Sequence, residues 1–180
     1  MPRPITDPHN HRENIVRNNL PALLASVAAA AIASPSAFCA DMAMTPGSVY
    51  MNTGDVKWGP APPVVPKGAK MAVLEGDPGK EGPFVARLMV PANYKIAPHW
   101  HSKDEDLTII SGTLYLAEGD KIETKHAHAM KAGAYHHLPA KTHHFAFSKG
   151  ATVVQINGQG PFDITYINPD DDPSKAMGKK

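Results

Sequence analysis

Between residues 71 and 169, short apolar runs alternate with turn signals at intervals of about eight to twelve residues. This spacing is typical of a β-sandwich or β-barrel, and no segment carries a sustained helical period. The 18 prolines and 14 glycines fit such a turn-rich chain. The sequence therefore predicts an all-β fold. We assign candidate strands to residues 72–74, 84–90, 99–101, 107–110, 113–117, 135–138, 144–147, 152–156 and 164–167.

Residues 1–40 have the features of a secretory signal peptide. Arg12 and Arg17 precede an apolar stretch, residues 20–33, that is too short to span a bilayer, and small residues follow it. Phe38, a bulky residue directly before the only cysteine, Cys39, argues against lipid attachment there. The alternative is an apolar helix packed on the domain. We expect cleavage after residue 39 or 40 and a periplasmic or secreted protein.

The rest of the chain divides into three parts. Residues 41–70 form a Pro/Gly-rich arm, residues 71–169 the β domain, and residues 170–180 a charged tail that we expect to be disordered. The arm is long enough to reach a neighbouring molecule, and exposed sheet edges are usually covered. We therefore expect a homodimer with the arm exchanged or packed across the interface.

Positive and negative side chains nearly balance, with 18 Lys and Arg against 17 Asp and Glu. The chain lacks the basic footprint of nucleic-acid-binding proteins and the polybasic patch of membrane-binding ones. We therefore expect a small-molecule substrate or ligand as the partner, and no stable membrane anchor once the signal peptide is removed.

Three histidines and one glutamate are the candidate metal ligands. His99 and His101 are two residues apart on a candidate strand, so both side chains leave the same face. Glu105 follows after a short turn, and His144 opens a later strand. Three imidazoles and one carboxylate on converging strands suit a divalent first-row transition metal.

The spacing of these residues resembles the two motifs of the cupin superfamily. The first motif is His-x-His, three residues, Glu, six residues and Gly, and it matches residues 99–112. The second is Gly, five residues, Pro, and then His five positions later, and it matches residues 133–144. The resemblance covers residues 84–167. It implies a single cupin barrel, a double-stranded β-helix or jelly roll, with a metal inside one mouth held by His99, His101, Glu105 and His144.

Three positions depart from the cupin pattern. Asn93 stands where the first motif usually opens with Gly, and Asn tolerates a positive φ. Lys141 replaces a Gly two residues after Pro139, which puts the shape of that loop in doubt. Ser148 replaces the Asn that ends the second motif. None of the three is an implied ligand.

The ligand set leaves the metal and the reaction open. Without a cysteine ligand, the site accepts manganese, iron, cobalt, nickel, copper or zinc. Loading outside the cytoplasm favours copper, zinc or nickel by the affinity order, whereas iron or manganese would reflect cytoplasmic supply. We expect a metal-dependent enzyme, either an oxygenase or an isomerase or lyase, acting on a small organic molecule. The alternatives are a non-catalytic metal- or ligand-binding or sensing module, and a barrel with a vestigial site.

Four polar residues on apolar strands are candidates for substrate contact: Arg87, Tyr115, His137 and Gln155. Arg87 either faces outward or lines the cavity as an anion clamp, because an unpaired buried charge is costly. One of the adjacent His136 and His137 must face inward.

Further histidines and carboxylates lie close to the implied ligands in sequence. Strand alternation points His143 away from the ligand face. His126 and His128 lie in a polar stretch that predicts an exposed loop, and we expect Asp104 and Asp106 to be solvated.

Overall fold

The computed structural model describes residues 47–176. The predicted signal peptide, residues 1–40, lies outside the described residues, as do the first residues of the arm and the last four of the tail. Within residues 47–176, no helix has the length and apolar character needed to cross a membrane.

The described chain is almost entirely β-strand and turn, as the sequence predicted. The strands are β1 (Gly59–Pro60), β2 (Lys70–Glu75), β3 (Gly82–Val90), β4 (Lys95–Trp100), β5 (Glu105–Ser111), β6 (Thr113–Glu118), β7 (His128–Lys131), β8 (Tyr135–Leu138), β9 (His144–Ser148), β10 (Thr152–Gly160) and β11 (Thr165–Tyr166). All pairings among them are antiparallel.

The strands form two sheets. One sheet has the order β1-β2-β3-β10-β5-β8, and the other has the order β11-β4-β9-β6-β7. Within the described residues, no strand pairing joins the two sheets, so they form an open sandwich rather than a closed barrel. Twisted sheets that pack face to face bury their inner faces without hydrogen bonds between them.

Strand alternation supplies the core between the sheets. On β3, Phe84, Ala86, Leu88 and Val90 are buried, while the residues between them are more exposed. Inward residues of β5, β6, β8, β9 and β10, with Ala69 before β2 and Tyr94 before β4, complete one cluster. That cluster consists of Ala69, Phe84, Ala86, Leu88, Val90, Tyr94, Leu107, Ile109, Leu114, Leu116, Leu138, Ala146, Val154 and Ile156.

The arm packs on its own domain. Strand β1 pairs with β2, and two tyrosine hydroxyls donate to the segment that follows β1. Tyr94 donates to the Pro66 carbonyl, and Tyr166 donates to the Val64 carbonyl over 2.8 Å. Burial raises the pKa of Tyr166 to about 12, so its hydroxyl stays protonated and able to donate. These bonds hold the segment over the space between the sheets.

Two segments differ from the sequence prediction. The stretch around His126 and His128 contains a 3-10 helix, Thr124–His126, and strand β7, although both histidines are exposed as predicted. The β7 pairing with β6 is long-range, which the polar local sequence did not reveal. The start of the tail forms a 3-10 helix, Pro169–Asp171, and one α-helical turn, α1 (Pro173–Ala176).

Candidate metal centre

The three histidines meet where the two sheets face each other. His99 lies on β4 and is the direct partner of His144, the first residue of β9. His101 follows β4, and Glu105 begins β5 in the opposite sheet. The four side chains, predicted as ligands from their spacing, are all buried. Buried polar side chains normally have hydrogen-bond partners or bind a ligand, so the partners of these four side chains must be identified.

Backbone carbonyls orient the three imidazole rings. The Nδ1 atom of His99 is 2.7 Å from the Ala97 carbonyl oxygen, and that of His144 is 3.0 Å from the Thr142 oxygen. His101 makes the corresponding bond to the Asp163 carbonyl. Each Nδ1–H therefore donates outward, and the Nε2 lone pair is left for the centre of the cluster.

The three imidazoles form a group of nitrogen ligands that could hold a cation, and the Glu105 carboxylate lies beside two of them. One nitrogen from each of the three rings lies within 4.8 Å of the others. Glu105 Oε2 is 3.5 Å from His101 Nε2 and 3.8 Å from His144 Nε2. Two ligands that each bind a shared ion at about 2.0–2.2 Å can lie 3.5–3.8 Å apart, as Glu105 does from these two histidines. His101 Nε2 is buried without a hydrogen-bond partner, and a metal ion would supply one.

Burial sets the protonation states of the cluster. Desolvation lowers the pKa of His99 well below its usual value and lowers that of His144 to about 4. Neutral imidazole is the form that binds metal. Burial raises the pKa of Glu105, and a cation at the centre would favour its ionised form. The residues present therefore fit a divalent transition metal.

The segment after β10 supports the cluster from outside, and sequence analysis missed it. The Asp163 carboxylate accepts hydrogen bonds from the Ser102 backbone and hydroxyl, at 2.9 and 2.7 Å. These bonds fix the segment whose carbonyl accepts from His101. The Phe162 ring stacks on the His101 ring, with centroids 4.5 Å apart. The contacts span about sixty residues of sequence, and a carbonyl acceptor has no sequence signal.

Two of the three departures from the cupin pattern, Asn93 and Lys141, keep the positive φ that favours glycine. Asn93 has a φ of 59°, as Asn tolerates, and Lys141 has a φ of 64°. The Lys141 amide donates to the His101 carbonyl over 2.8 Å, so the loop closes against the site despite the substitution. Ser148 donates to the Pro91 carbonyl and ties β9 to the β3–β4 turn.

A cavity of about 310 Å³ opens from the cluster between the two sheets. Its walls are apolar side chains of both sheets, such as Leu88, Leu116 and Ile156, and the arm covers it with Val64 and Val65. The volume lies at the lower end of the range for small-molecule sites, about 300–1,000 Å³. The cluster therefore faces a space that a small organic molecule can enter.

Two of the four candidate substrate residues, Arg87 and Gln155, lie outside this cavity. They are cross-strand partners on β3 and β10, and Arg87 Nε donates to Gln155 Oε1 over 3.2 Å. Both alternate with the buried residues of their strands and so face away from the core. Of the two alternatives for Arg87, the outward one is found.

The other two candidates, Tyr115 and His137, are also absent from the cavity walls. The Tyr115 ring stacks on the Phe147 ring with centroids 4.8 Å apart. His137 is exposed, and its Nδ1 is 2.8 Å from Asp106 Oδ1. The more buried residue of the adjacent histidine pair is His136.

The neighbours of the implied ligands are occupied elsewhere. His143 faces the surface, where its Nδ1 pairs with an Asp120 carboxylate oxygen, as strand alternation predicted. Asp104 is exposed, and its carboxylate accepts from the Ala140 amide over 2.7 Å. None of these groups points into the cluster.

Protonation of the cluster should destabilise the metal-free fold as the pH falls. We expect the unfolding free energy of metal-free Glu105→Gln protein to fall between about pH 6.5 and 4. The unfolded chain protonates His144 near pH 6.5, but the folded chain does so only near pH 4. Between these values protons favour the unfolded state, by about 3 kcal/mol for His144 alone. Urea titrations across this range measure the effect.

The Glu105→Gln substitution leaves only the effect of the histidines, because the raised pKa of Glu105 changes stability with pH in the opposite direction. In wild-type protein, that carboxyl contributes stability that is lost as the pH rises through its folded pKa. The matched control is His143→Gln in the same background, which should leave most of the fall in place, because His143 is exposed and is the smallest of the causes that lower the pKa of His144. A flat profile in the Glu105→Gln protein would contradict the buried neutral histidines.

A family model described as Domain of unknown function (DUF4437) matches residues 34–165. The polyketide cyclase RemF from Streptomyces resistomycificus superposes with a TM-score of 0.60 at 15% identity, over 73% of this chain and 94% of that one. A protein from Methylibium petroleiphilum described as a "putative acetylacetone dioxygenase" gives 0.55 at 21% identity, over 72% and 87%.

A cupin-2 domain from Rhodospirillum rubrum superposes with a TM-score of 0.50 at 14% identity, over 72% of this chain and 84% of that one. No curated protein matches the sequence. At these identities the structures share the fold alone. The cupin fold that the two motifs implied is thus confirmed.

Proposed function

The chain belongs to the family described as Domain of unknown function (DUF4437), and we propose from its site that it is a metal-dependent enzyme acting on a small organic molecule. One observation carries the proposal. Three buried imidazoles bring one ring nitrogen each within 4.8 Å of the others, in the wall of an apolar cavity large enough for a small molecule. Sites of this kind combine a binding space with a reactive centre.

We assign His99, His101, Glu105 and His144 as the ligands of one divalent transition metal. When bound, the ion would supply Lewis-acid or redox chemistry to a substrate in the cavity. The carbonyl partners of the three rings hold the ligand geometry before the metal arrives. Glu105 adds the negative charge that a buried divalent cation requires.

The other residues of the site bind and enclose the substrate. The apolar side chains of both sheets remove its body from water. The arm covers the cavity, held by two tyrosine hydroxyls, and so shields the same space from water. Within the described residues, the cavity walls carry no acid or base beyond the four ligands and Tyr94, so the reaction depends on the metal centre.

The fold by itself does not specify the type of reaction. The similar structures include a cyclase and a protein described as a dioxygenase, which supports both the oxygenase and the isomerase or lyase alternatives. The alternative function is a binding or sensing module that holds the same ligand without turnover.

The test is untargeted metabolite profiling. A small-molecule extract from the organism that makes the protein is incubated with metal-loaded wild-type protein and with His101→Ala protein. We expect at least one compound to disappear and a product to accumulate with the wild type only. Compounds that are retained by the wild-type protein but recovered unchanged, with each of manganese, iron, nickel, copper and zinc, would favour the binding module.

We further propose that the protein is exported and takes up its metal outside the cytoplasm. The predicted signal peptide supports this location. Competition there favours copper, zinc or nickel by affinity, whereas protein made without its signal would carry the metals of the cytoplasm. Elemental analysis of the two preparations separates these cases, and iron or manganese at full occupancy in both would contradict the proposal.

A further inference from the structure

The cavity that opens from the metal centre has the four proposed ligands at one end. Among residues 47–176, the other polar side chains in its walls are the hydroxyl residues Tyr94 and Ser148, and neither is charged. The remaining walls are aliphatic or aromatic side chains, prolines and one glycine. A molecule inside therefore meets the metal centre at one end and, apart from these two hydroxyls, apolar atoms elsewhere.

The two hydroxyls in the walls already have partners. Tyr94 donates its proton to the Pro66 carbonyl of the arm, and Ser148 donates to the Pro91 carbonyl. A hydroxyl has only one proton, so neither group can donate to a bound molecule without breaking these bonds. A polar group on the body of a substrate would lose its water and find no side-chain donor in the wall, only these two hydroxyl oxygens as acceptors.

The charge balance of the centre limits the polar end of the substrate. Three neutral imidazoles, one carboxylate and a divalent ion sum to one positive charge. One negative charge on the substrate would neutralise the centre. A second charge would have to lie against the apolar wall, where burying an unpaired ion costs several kcal/mol.

We propose that the substrate is a single-headed apolar molecule: one oxygen-bearing head, neutral or singly negative, on an uncharged hydrocarbon body. The inference rests on the proposed function, because the head is recognised by the metal centre. It excludes sugars, amino acids and dicarboxylates, whose polar groups are spread along the molecule. Arg87, the anion clamp that the sequence suggested, is bonded to Gln155 on the outer face and does not line the cavity.

The experiment compares two ligands that share a metal-binding head. 4-Isopropylcatechol and 3,4-dihydroxybenzoate have the same number of non-hydrogen atoms and differ in the isopropyl or carboxylate group on the ring. Both are titrated calorimetrically into zinc-loaded protein, because zinc is redox-inert and leaves the catechols intact. We expect 3,4-dihydroxybenzoate to bind at least about 100-fold more weakly, because its carboxylate enters the apolar wall unpaired.

A variant of the cavity wall tests whether the ligand binds inside the cavity. Ala146 is buried and lines the cavity, so Ala146→Leu should weaken 4-isopropylcatechol at least about tenfold with unchanged zinc content. Ala132→Leu, in an exposed turn, is the matched control and should bind as the wild type does. The ligand comparison on wild-type protein stands even where Ala146→Leu does not fold.

The outcomes separate the inference from the proposed function. Equal affinities, the reversed order, or no binding of either ligand to protein that holds zinc would overturn the inference and leave the metal site intact. Protein that takes up no zinc, measured before titration by elemental analysis, would overturn the proposed function and the inference together.

Discussion

Alanine at His101 or His144 is expected to lower the bound metal at least about tenfold while the domain still folds. Each ring contributes a buried Nε2 to the cluster, and each is oriented by a backbone carbonyl that alanine cannot use. The hydrophobic core is built from other residues, so removing one imidazole should not unfold the sandwich. Elemental analysis after loading with limiting metal measures the loss, and circular dichroism checks the fold.

The chain offers a matched control one residue away. His143 has the same side chain as His144 and directly precedes β9, but it faces the surface and pairs with Asp120. His143→Ala should therefore keep full metal content. Unchanged metal in both His101→Ala and His144→Ala would refute the ligand assignment. An equal loss in His143→Ala would mean that the effect comes from the strand rather than from the ligand.

Alanine at Gly112 is expected to be strongly destabilising, lowering the unfolding free energy by about 3 kcal/mol or more. Gly112 joins β5 to β6 with a φ of +78°, which L-residues rarely adopt. An added Cβ would lie 2.5 Å from the Ala151 carbonyl oxygen and 2.7 Å from Thr152 Oγ1. That hydroxyl bonds to the Thr113 backbone, so the clash would disturb the corner between the sheets.

Gly133 is the control for the backbone conformation alone. It has a φ of +86°, but nothing lies within 4 Å of the position that a Cβ would take. Gly133→Ala should cost only the positive-φ strain, about 1–2 kcal/mol. Urea unfolding of the metal-free proteins measures both losses. Equal losses for the two variants would contradict the steric argument at Gly112.

The roles of these two glycines in the cupin motifs are explained partly by the sequence and partly by the structure. The spacing of Gly112 and Gly133 was visible in the sequence and implied the fold. The structure shows that one glycine is required by a close backbone approach and that the other has open space around it. Contacts with residues about forty positions away decide this difference, and a motif cannot report them.

The candidate substrate residues that face outward also show what the sequence left open. Alternation along β3 predicts that Arg87 lies opposite the buried face, but the sequence left open whether that face is the cavity side. Only the packing of the two sheets shows which face is enclosed. The same holds for His136 and His137, where β8 turns His137 to Asp106 on the neighbouring strand.

Local patterns by themselves determined the all-β class, most strand positions and the shared face of His99 and His101, because periodicity and turn chemistry act over a few residues. The spacing of the cupin motifs predicted the convergence of Glu105 and His144 with them. The tertiary structure alone decided that the sheets stay open, that the arm covers the cavity, and that the segment at Asp163 orients His101. These features depend on contacts between residues far apart in sequence, whose free energies are set by packing and burial rather than by local preference.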